Sequence, residues 1–153
     1  MKKLKTYFEL EAGSITTRVS EGGKLEFLTI YRVKMDDFTL PKGHVEDKES
    51  LEEASAREAT EETGYPVETK EFIDSFEYKV KEEKYGEESF IIRRVYYFEG
   101  EVTGESSGEE NPDEKEGKTV PSWLTYEEAM EKFSYDTDKG LIEKVYQSHV
   151  EGK

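Results

Sequence analysis

The stretch that most restricts the fold of this chain is a charged segment whose composition favours a helix. Residues 49–63 read ESLEEASAREATEET, which is rich in Ala, Glu, Leu and Arg, contains no Gly or Pro, and runs directly into Gly64. These residue types have high helix propensity, and a glycine just past the last turn is a common way to end a helix. The pattern therefore predicts one helix that ends at Gly64.

The segments on either side of this helix favour β-strands, because they alternate apolar and polar residues or contain many β-branched residues. FTLPKGH reads as a short extended piece that leads into a loop. The last two long strands are predicted to form an antiparallel hairpin with a turn around Gly86. The predicted strands are KTYFEL (5–10), SITTRV (14–19), KLEFLTIYRV (24–33), EFIDSFEYKV (71–80), SFIIRRVYYFEGEV (89–102) and VPSWL (120–124).

Two further helices are expected near the end of the chain. They are TYEEAMEKF, in which Thr125 and Glu128 have the spacing of a capping box, and DKGLIEKVYQSHV. Strands, one helix, more strands and then two helices predict an α+β fold, specifically an α/β/α sandwich around a mixed β-sheet. A length of 153 residues suits one core, so residues 1–153 are expected to form a single domain.

The charge balance limits the partners of the chain. There are 37 acidic and 22 basic residues, and the net charge of −15 repels a long nucleic acid. A small phosphate ligand would need a local cation. The chain has no cysteine, so it can form neither a disulfide nor a thiolate zinc site. No apolar run of about 18 residues is present. We therefore expect a cytoplasmic protein without membrane contact, either a monomer or a homodimer.

The glutamates near the end of the predicted helix share one face. At about 100° per residue, Glu61 and Glu62 lie within about 60° of Glu58, and Leu51 and Ala54 fall on the same side. The small and polar residues expected on the opposite side are Ala56, Thr60 and Thr63. Carboxylates that continue an apolar stripe are costly to bury unless they are paired or bind a metal. The alternatives are a solvated acidic face and a site for Mg²⁺ or Mn²⁺, the cations that carboxylate oxygens favour.

The residues that precede this helix extend the pattern over residues 43–65, GHVEDKESLEEASAREATEETGY. This stretch resembles the 23-residue signature of the Nudix hydrolase family. Ala59 and Tyr65 stand at two positions where the family usually has aliphatic residues. The positions that match the signature at its fixed spacing are Gly43, Glu49, Arg57, Glu58, Glu61, Glu62 and Gly64.

The resemblance implies hydrolysis of a nucleoside diphosphate linked to another group, by attack of water on phosphorus. Mg²⁺ or Mn²⁺ would neutralise phosphate oxygens and lower the pKa of the attacking water. By the resemblance, Glu58 and Glu62 are the principal metal ligands, and Glu61 is a further ligand or the base. The carbonyl of Gly43 is expected to help complete the metal shell.

Two supporting roles also follow from the resemblance. Arg57 is expected to lie off the ligand face and to pair with Glu49, holding the loop to the helix. A further acidic residue from the loop before the last strand often supplies a metal ligand or a general base in this family. In the polar loop 103–118, Glu116 comes nearest to the usual place, and Glu114 is the alternative.

The segments around the signature point to a substrate class. FTLPKGHVE, which leads into the signature, resembles the same segment of asymmetric diadenosine tetraphosphate hydrolases. By this resemblance, Lys42 is expected to contact phosphate. His44, two residues further on, could do the same. The end of the chain resembles the same hydrolases, which carry an aromatic residue four positions before a lysine. Here these are Tyr135, which could stack on adenine, and Lys139, which could contact phosphate. The alternative to a substrate contact, for each of these residues, is a purely structural role in packing or at the surface.

Other candidate substrate contacts are less specific. Tyr78 and Tyr85 lie at or near the predicted hairpin turn and could reach a base or a phosphate. An arginine on a predicted strand could bind a polyphosphate through both of its terminal nitrogens, and the sequence does not select which one. These arginines are Arg18, Arg32, Arg93 and Arg94.

Three functions remain open from the sequence. The first is a Mg²⁺-dependent hydrolase of diadenosine polyphosphates or similar nucleotides. The second is a house-cleaning nucleoside triphosphate pyrophosphohydrolase with the same metal ligands and a different base pocket. The third is a non-catalytic nucleotide-binding module, which predicts that signature glutamates are lost, whereas all of them are present here.

Overall fold

The computed structural model of the protein describes residues 4–108 and 117–151, which form seven strands and three helices. None of these helices is both long enough and apolar enough to cross a bilayer. In chain order, the elements are β1 (Lys5–Val19), β2 (Leu25–Arg32), β3 (Asp37–Thr39), β4 (Lys42–His44), α1 (Leu51–Thr63), β5 (Val67–Lys84), β6 (Glu87–Val102), β7 (Thr119–Thr125), α2 (Tyr126–Lys132) and α3 (Asp136–Glu151).

The strands form one mixed sheet in the order β3-β2-β1-β6-β5, with β4 paired to β1 and β7 paired to β2. Strands β1 and β6 are parallel, from Lys5 opposite Ser89 to Thr17 opposite Glu101. The other pairs are antiparallel. A parallel pair needs a long crossover connection, and the segment from β2 to β5, which includes α1, lies between these two strands. The predicted mixed sheet is confirmed.

Both faces of the central sheet are covered. Seven successive residues of β1, Glu11 to Thr17, are buried, so side chains that point to opposite faces are equally shielded. Helix α1 packs on β1, β5 and β6, and the Ser55 hydroxyl donates to the carbonyl of Gly13 at 2.8 Å. The hydrophobic core packs Ile15 and Val95 of the sheet against buried residues of α2 and α3. The α+β sandwich predicted from the order of elements is therefore confirmed.

The predicted strands KTYFEL and SITTRV form one continuous strand, so the expectation of two separate strands is wrong. Residues 11–13, Glu-Ala-Gly, fall between the two predicted strands. In the folded chain, a Cβ added at Gly13 would lie 2.5 Å from the ring of Tyr97. Glycine at this position therefore reflects close packing inside a strand rather than a turn.

The β5–β6 hairpin is confirmed and is longer than predicted. Its two-residue turn is Tyr85-Gly86, with φ values of 53° and 78°. Two successive positive φ angles are typical of the type I′ turn, whose twist matches that of the flanking strands.

Helix α1 begins and ends through defined local contacts. Ser50 accepts a hydrogen bond from the backbone N–H of Glu53, and the Glu53 side chain accepts one from the N–H of Ser50. At the other end, Gly64 adopts a left-handed conformation with φ of 79°, and its N–H donates to the carbonyl of Thr60. The predicted end at Gly64 is confirmed, as is the Thr125–Glu128 capping box of α2.

The cap at Ser50 gives a stability prediction. We expect Ser50→Ala to lower the free energy of unfolding by about 1 kcal/mol, because the N–H of Glu53 loses its acceptor. Ser148→Ala, at an exposed position of α3, is the matched control and should change stability by less than about 0.5 kcal/mol. Urea unfolding followed by circular dichroism measures both, and equal effects would contradict the role of the cap.

Candidate functional site

One face of the fold contains a cleft with a volume of about 950 Å³. Its walls come from β1, β2, the segment from Thr39 to His44, helix α1, the middle of β5 and β6, and the start of α3. Among the described residues that line it, seven are Asp or Glu and two are Arg or Lys. The cleft is therefore strongly acidic, in line with the charge of the whole chain.

The three glutamates of α1 meet strand β4 in this cleft. Glu58, Glu61 and Glu62 all line it, together with Gly43. A Cβ added at Gly43 would lie 2.2 Å from the carboxyl carbon of Glu58, so no larger residue fits there without moving that carboxylate. The backbone N–H of Lys42 donates to a carboxylate oxygen of Glu62 at 3.2 Å. The structure thus brings the predicted ligand residues together at the point where helix and strand meet.

The buried stripe of α1 differs from the expected one. The buried residues are Ala54, Ser55, Ala59 and Thr63, so the prediction that Thr63 lies opposite the apolar stripe is wrong. The Thr63 hydroxyl donates to the carbonyl of Ala59 at 2.6 Å, and this satisfied donor makes its burial possible. The glutamates flank the stripe, and the Glu58 side chain is 15% exposed while that of Glu61 is 43% exposed.

Arg57 ties the loop before α1 to the helix. Its guanidinium donates to both carboxylate oxygens of Glu49, at 2.6 and 3.0 Å, and to the carbonyl of His44 at 2.9 Å. The predicted pair with Glu49 is confirmed. The expectation that Arg57 lies off the glutamate face is wrong, because Nη1 also donates to Glu58 at 2.9 Å and to Glu61 at 3.1 Å.

These contacts change the ionisation of the cluster. Burial raises the pKa of Glu58 above its usual value, while the adjacent Arg57 guanidinium partly opposes the increase. Hydrogen bonding to Glu49 is the main cause of a raised pKa for Arg57, so that side chain remains charged. Arg57 is thus a fixed positive charge among three carboxylates that would otherwise repel one another.

The donor set suits a hard divalent cation. Within residues 4–108 and 117–151, no three carboxylate or histidine side chains converge as a ready-made metal cluster, and Glu58 and Glu61 instead share the guanidinium of Arg57. Their oxygens, with those of Glu62 and the adjacent Gly43 carbonyl, are nevertheless the ligand types that Mg²⁺ and Mn²⁺ prefer. The close approach of Gly43 to Glu58 brings the backbone of β4 against the carboxylate.

Glu11 is a site residue that the sequence did not indicate. It is 5% exposed and lines the cleft, where it accepts hydrogen bonds from Lys42 Nζ at 3.2 Å and from the Tyr78 hydroxyl at 2.8 Å. Burial alone would lower the pKa of Lys42, but the attraction of Glu11 outweighs it and the pKa is raised. Lys42 is therefore held as a cation at the cleft wall. Glu11 falls between two predicted strands, so no local pattern marked it as a site residue.

A second polar group occupies the part of the cleft formed by β2 and the start of α3. Arg32 donates from two nitrogens to the two carboxylate oxygens of Asp37, at 2.7 and 2.6 Å, and the Tyr135 hydroxyl donates to Asp37 at 3.0 Å. These bonds, chiefly those from Arg32, lower the pKa of Asp37. Tyr135 itself remains 44% exposed at the cleft. Of the four strand arginines considered above, Arg32 is the one that lines the cleft.

Asp138, which the sequence also did not indicate, is 9% exposed and lines the same region. Burial raises the pKa of Asp138 to about 6, although nearby Lys42 and the backbone N–H of Leu40 favour its charged form. A buried carboxyl that is partly protonated near neutral pH can donate as well as accept a hydrogen bond.

The other predicted contacts are spread more widely. His44 is exposed and lines the cleft, as does Tyr78. Tyr85 does not line it and lies at the hairpin turn, 80% exposed, with its ring 5.5 Å from that of Tyr7. Lys139 follows Asp138 in the first turn of α3 and does not line the cleft either. Glu114 and Glu116 lie outside the described residues.

Comparison with known proteins agrees with this geometry. Residues 14–145 match the family model of the NUDIX domain. The chain therefore belongs to the NUDIX family, and its curated relatives include several hydrolases.

Three curated relatives illustrate the match. The 8-oxo-(d)GTP phosphatase of Mycolicibacterium smegmatis is 28% identical over 84% of this chain and 36% of its own length. Nudix hydrolase 12, mitochondrial, of Arabidopsis thaliana is 32% identical over 79% of this chain and 58% of that protein. Nudix hydrolase 16, mitochondrial, of the same plant is 31% identical over 86% of this chain and 72% of that protein. The chain spans between about a third and three fifths of the length of the first two.

Solved structures share the fold. A NUDIX hydrolase from Nitrosomonas europaea superimposes with a TM-score of 0.68 at 16% identity, covering 92% of this chain and 89% of that one. The Ap4A hydrolase of C. elegans superimposes with a TM-score of 0.65 at 22% identity, covering 95% of this chain and 99% of that one.

The contact between Gly43 and Glu58 predicts the effect of one added methyl group. We expect Gly43→Ala to weaken Mn²⁺ binding by at least about tenfold, because the Cβ displaces the Glu58 carboxylate. Isothermal titration calorimetry measures the affinity. Gly140→Ala is the control, since a Cβ there meets nothing within 4 Å. Unchanged Mn²⁺ affinity in folded Gly43→Ala would contradict the assignment.

Asp138 predicts a pH dependence of stability. Its pKa rises from 3.8 to about 6 in the folded chain, so protonation favours folding. The stabilisation is complete below about pH 4 and is lost as the pH rises through about 6. Relative to Asp138→Asn, the free energy of unfolding of the wild type should therefore fall by about 2–3 kcal/mol between pH 4 and pH 7. Asp136→Asn, at an exposed position, controls for loss of one carboxylate, and a pH-independent difference for Asp138→Asn would disprove the shift.

Proposed function

We propose that this protein hydrolyses a pyrophosphate bond in a nucleoside diphosphate linked to another group, with Mg²⁺ or Mn²⁺ as cofactor. The observation that carries the proposal is the meeting of Glu58 and Glu62 with strand β4 at Gly43, inside an acidic cleft. Membership of the NUDIX family and hydrolases among the curated relatives support it.

The charge of the cleft explains why a cation is needed. A pyrophosphate carries several negative charges, and most of the charged side chains that line the cleft are also negative. The two basic side chains among the described lining residues, Arg32 and Lys42, each lie against a carboxylate, Asp37 and Glu11. Their charge is thus already partly neutralised. Divalent cations held by the α1 glutamates and the Gly43 carbonyl would neutralise the phosphate oxygens and acidify the attacking water.

Backbone groups and side chains around the glutamates have distinct roles in this proposal. The N–H of Lys42 orients Glu62, and the close backbone of Gly43 fixes the position of Glu58. Arg57 keeps the glutamates together and connects them to the loop before α1. Glu61, the more exposed of the two α1 carboxylates that accept hydrogen bonds from Arg57, would accept a proton from water. Positioning of this kind, rather than covalent chemistry, provides most of the catalysis in phosphoryl transfer.

For the substrate, we propose a diadenosine polyphosphate. Lys42 lies at the cleft wall and can contact phosphate, because Glu11 also accepts a hydrogen bond from Tyr78 and so does not depend on Lys42 alone. The exposed Tyr135 can stack on a base. A volume of about 950 Å³ lies at the upper end of the range of ligand pockets and suits an extended nucleotide. The second candidate is a nucleoside triphosphate, because one curated relative is an 8-oxo-(d)GTP phosphatase.

Glu62 provides the sharpest test of the mechanism. We expect Glu62→Gln to lower kcat by at least about a hundredfold, or about 2.7 kcal/mol in activation free energy, because a charged metal ligand is lost. Glu52→Gln on the exposed side of the same helix is the matched control and should retain wild-type activity. Initial rates at saturating Mg²⁺ measure both variants. A normal rate for Glu62→Gln would contradict the assignment of Glu62 as a metal ligand.

A panel of nucleotides separates the two substrate classes. We expect diadenosine tetraphosphate to be cleaved to adenosine triphosphate and adenosine monophosphate, with products resolved by anion-exchange chromatography. Tyr135→Ala should then raise KM with little change in kcat, because stacking contributes to binding before and during the reaction. Release of pyrophosphate from 8-oxo-dGTP or another triphosphate, with the dinucleotide intact, would favour the second class and refute the first.

A further inference from the structure

The first half of β1 has an open edge. On one side, residues from Lys5 to Thr17 pair with β6. On the other side, β4 pairs with Glu11 to Gly13, and β2 pairs with Thr17 to Val19. In the part of the chain that the structure describes, no strand pairs with the outer side of residues 5–9. A flat open edge is a template for a further strand.

Two hydrogen bonds show which backbone groups face this open side. The N–H of Val45 donates to the carbonyl of Leu10, and the N–H of Ser14 donates to the carbonyl of Pro41. Both residues of β1 are even-numbered and both bonds lie on the β4 side. Because the backbone groups of alternate residues point to alternate sides of a strand, Thr6 and Phe8 direct their N–H and C=O groups outward. Tyr7 directs its groups toward β6.

This parity restricts how a second copy of the strand could pair with the first. In a two-fold symmetric antiparallel pair, outward residues must lie opposite outward residues. With the axis at Tyr7, Thr6 lies opposite Phe8 of the other copy and Tyr7 lies opposite its counterpart. Lys5 then lies opposite Glu9 in both symmetric positions. The adjacent allowed registers place Lys5 opposite Tyr7, or Tyr7 opposite Glu9, and lack this charge pair.

Of the two charges that would meet, that of Glu9 is already fixed in place. Glu9 accepts hydrogen bonds from Lys84 and from Arg93, the latter at 2.8 Å, which lower its pKa to about 2 against the effect of burial. Glu9 is therefore ionised at neutral pH. Lys5 is 67% exposed in its side chain, and its contact with Glu87 is long, at 3.7 Å. Opposite charges directly across an antiparallel pair stabilise that register.

The same register would cover exposed apolar surface. Phe8 is 77% exposed and Leu10 is 50% exposed, and both side chains lie on the same face of β1. With Phe8 opposite Thr6, the two Phe8 rings lie diagonally across the pair, a separation that aromatic side chains can bridge. A large aromatic side chain on an open strand edge thus acquires a partner in the second copy.

We propose that this chain forms a homodimer in which residues 5–9 of β1 pair antiparallel with the same residues of a second copy, with the two-fold axis at Tyr7. The paired strands extend the sheet across both copies. Lys5 pairs with Glu9 twice, and Phe8 packs across the axis.

The absence of cysteine makes the register directly testable. In this register the two Tyr7 residues form a non-hydrogen-bonded pair, with Cα atoms about 4.5 Å apart, which is within the range of a disulfide. We expect Tyr7→Cys, under mild oxidation, to form a covalent dimer at least about tenfold faster than Val19→Cys. Val19, at the other end of the same strand, is 67% exposed and therefore more accessible than the half-buried Tyr7, so it reports random collision. Non-reducing electrophoresis measures both rates, and equal rates would overturn the proposal.

Sedimentation equilibrium of the cysteine-free chain tests the interface itself. We expect a reversible dimer, and Thr6→Pro should raise its Kd at least about tenfold, because it removes an outward N–H without removing a bond to β6. Lys5→Glu, at an exposed side chain, should raise the Kd by about threefold or more, because it places like charges opposite each other. A wild-type chain that stays monomeric up to about 0.3 mM, or folded variants that dimerise as well as the wild type, would refute the interface.

Discussion

The contact on which the site depends is the approach of strand β4 to helix α1. At Gly43 the backbone comes so close to Glu58 that a methyl group would overlap the carboxylate. The contact is possible because Ser55 bonds to Gly13 in β1, which fixes the helix against the strand that carries β4 on its edge. The buried Ser55, together with Gly43 and Glu58, thus sets the distance between helix α1 and strand β4.

The second constraint is repulsion among like charges. Three carboxylates on one helical face are tolerated because Arg57 donates to two of them and to Glu49. Lys42 and Glu11 form a similar compensated pair on the facing wall. Among the described residues, the two basic side chains that line the cleft, Arg32 and Lys42, are therefore already paired with carboxylates of the chain. A highly charged phosphate ligand requires additional cations, which connects the electrostatics of the cleft to the proposed metal dependence.

Local patterns predicted what local interactions determine. The end of α1 at Gly64, the capping box of α2 and the β5–β6 hairpin each depend on residues close together in sequence, and all three are confirmed. The spacing of the signature also identified the glutamates that the fold gathers in the cleft.

Long-range packing explains what the sequence did not show. Gly13 falls outside the predicted strands, but it lies inside β1 against the ring of Tyr97 from another strand. Glu11 acquires its place through Lys42 and Tyr78, which are 31 and 67 residues away along the chain. The burial of Asp138 likewise depends on α3 packing at the cleft. None of these partners can be read from neighbouring residues, because the sheet order that joins them is a property of the whole fold.

The central claim is that the α1 glutamates bind a divalent cation in the cleft. Electron paramagnetic resonance measures it directly, because Mn²⁺ loses its sharp solution signal when a protein binds it. We predict saturable loss of that signal with the wild-type chain. In a folded Glu58→Gln, Glu62→Gln double variant, we predict that the signal persists at the same protein concentration. Equal Mn²⁺ binding by the two proteins would contradict the claim.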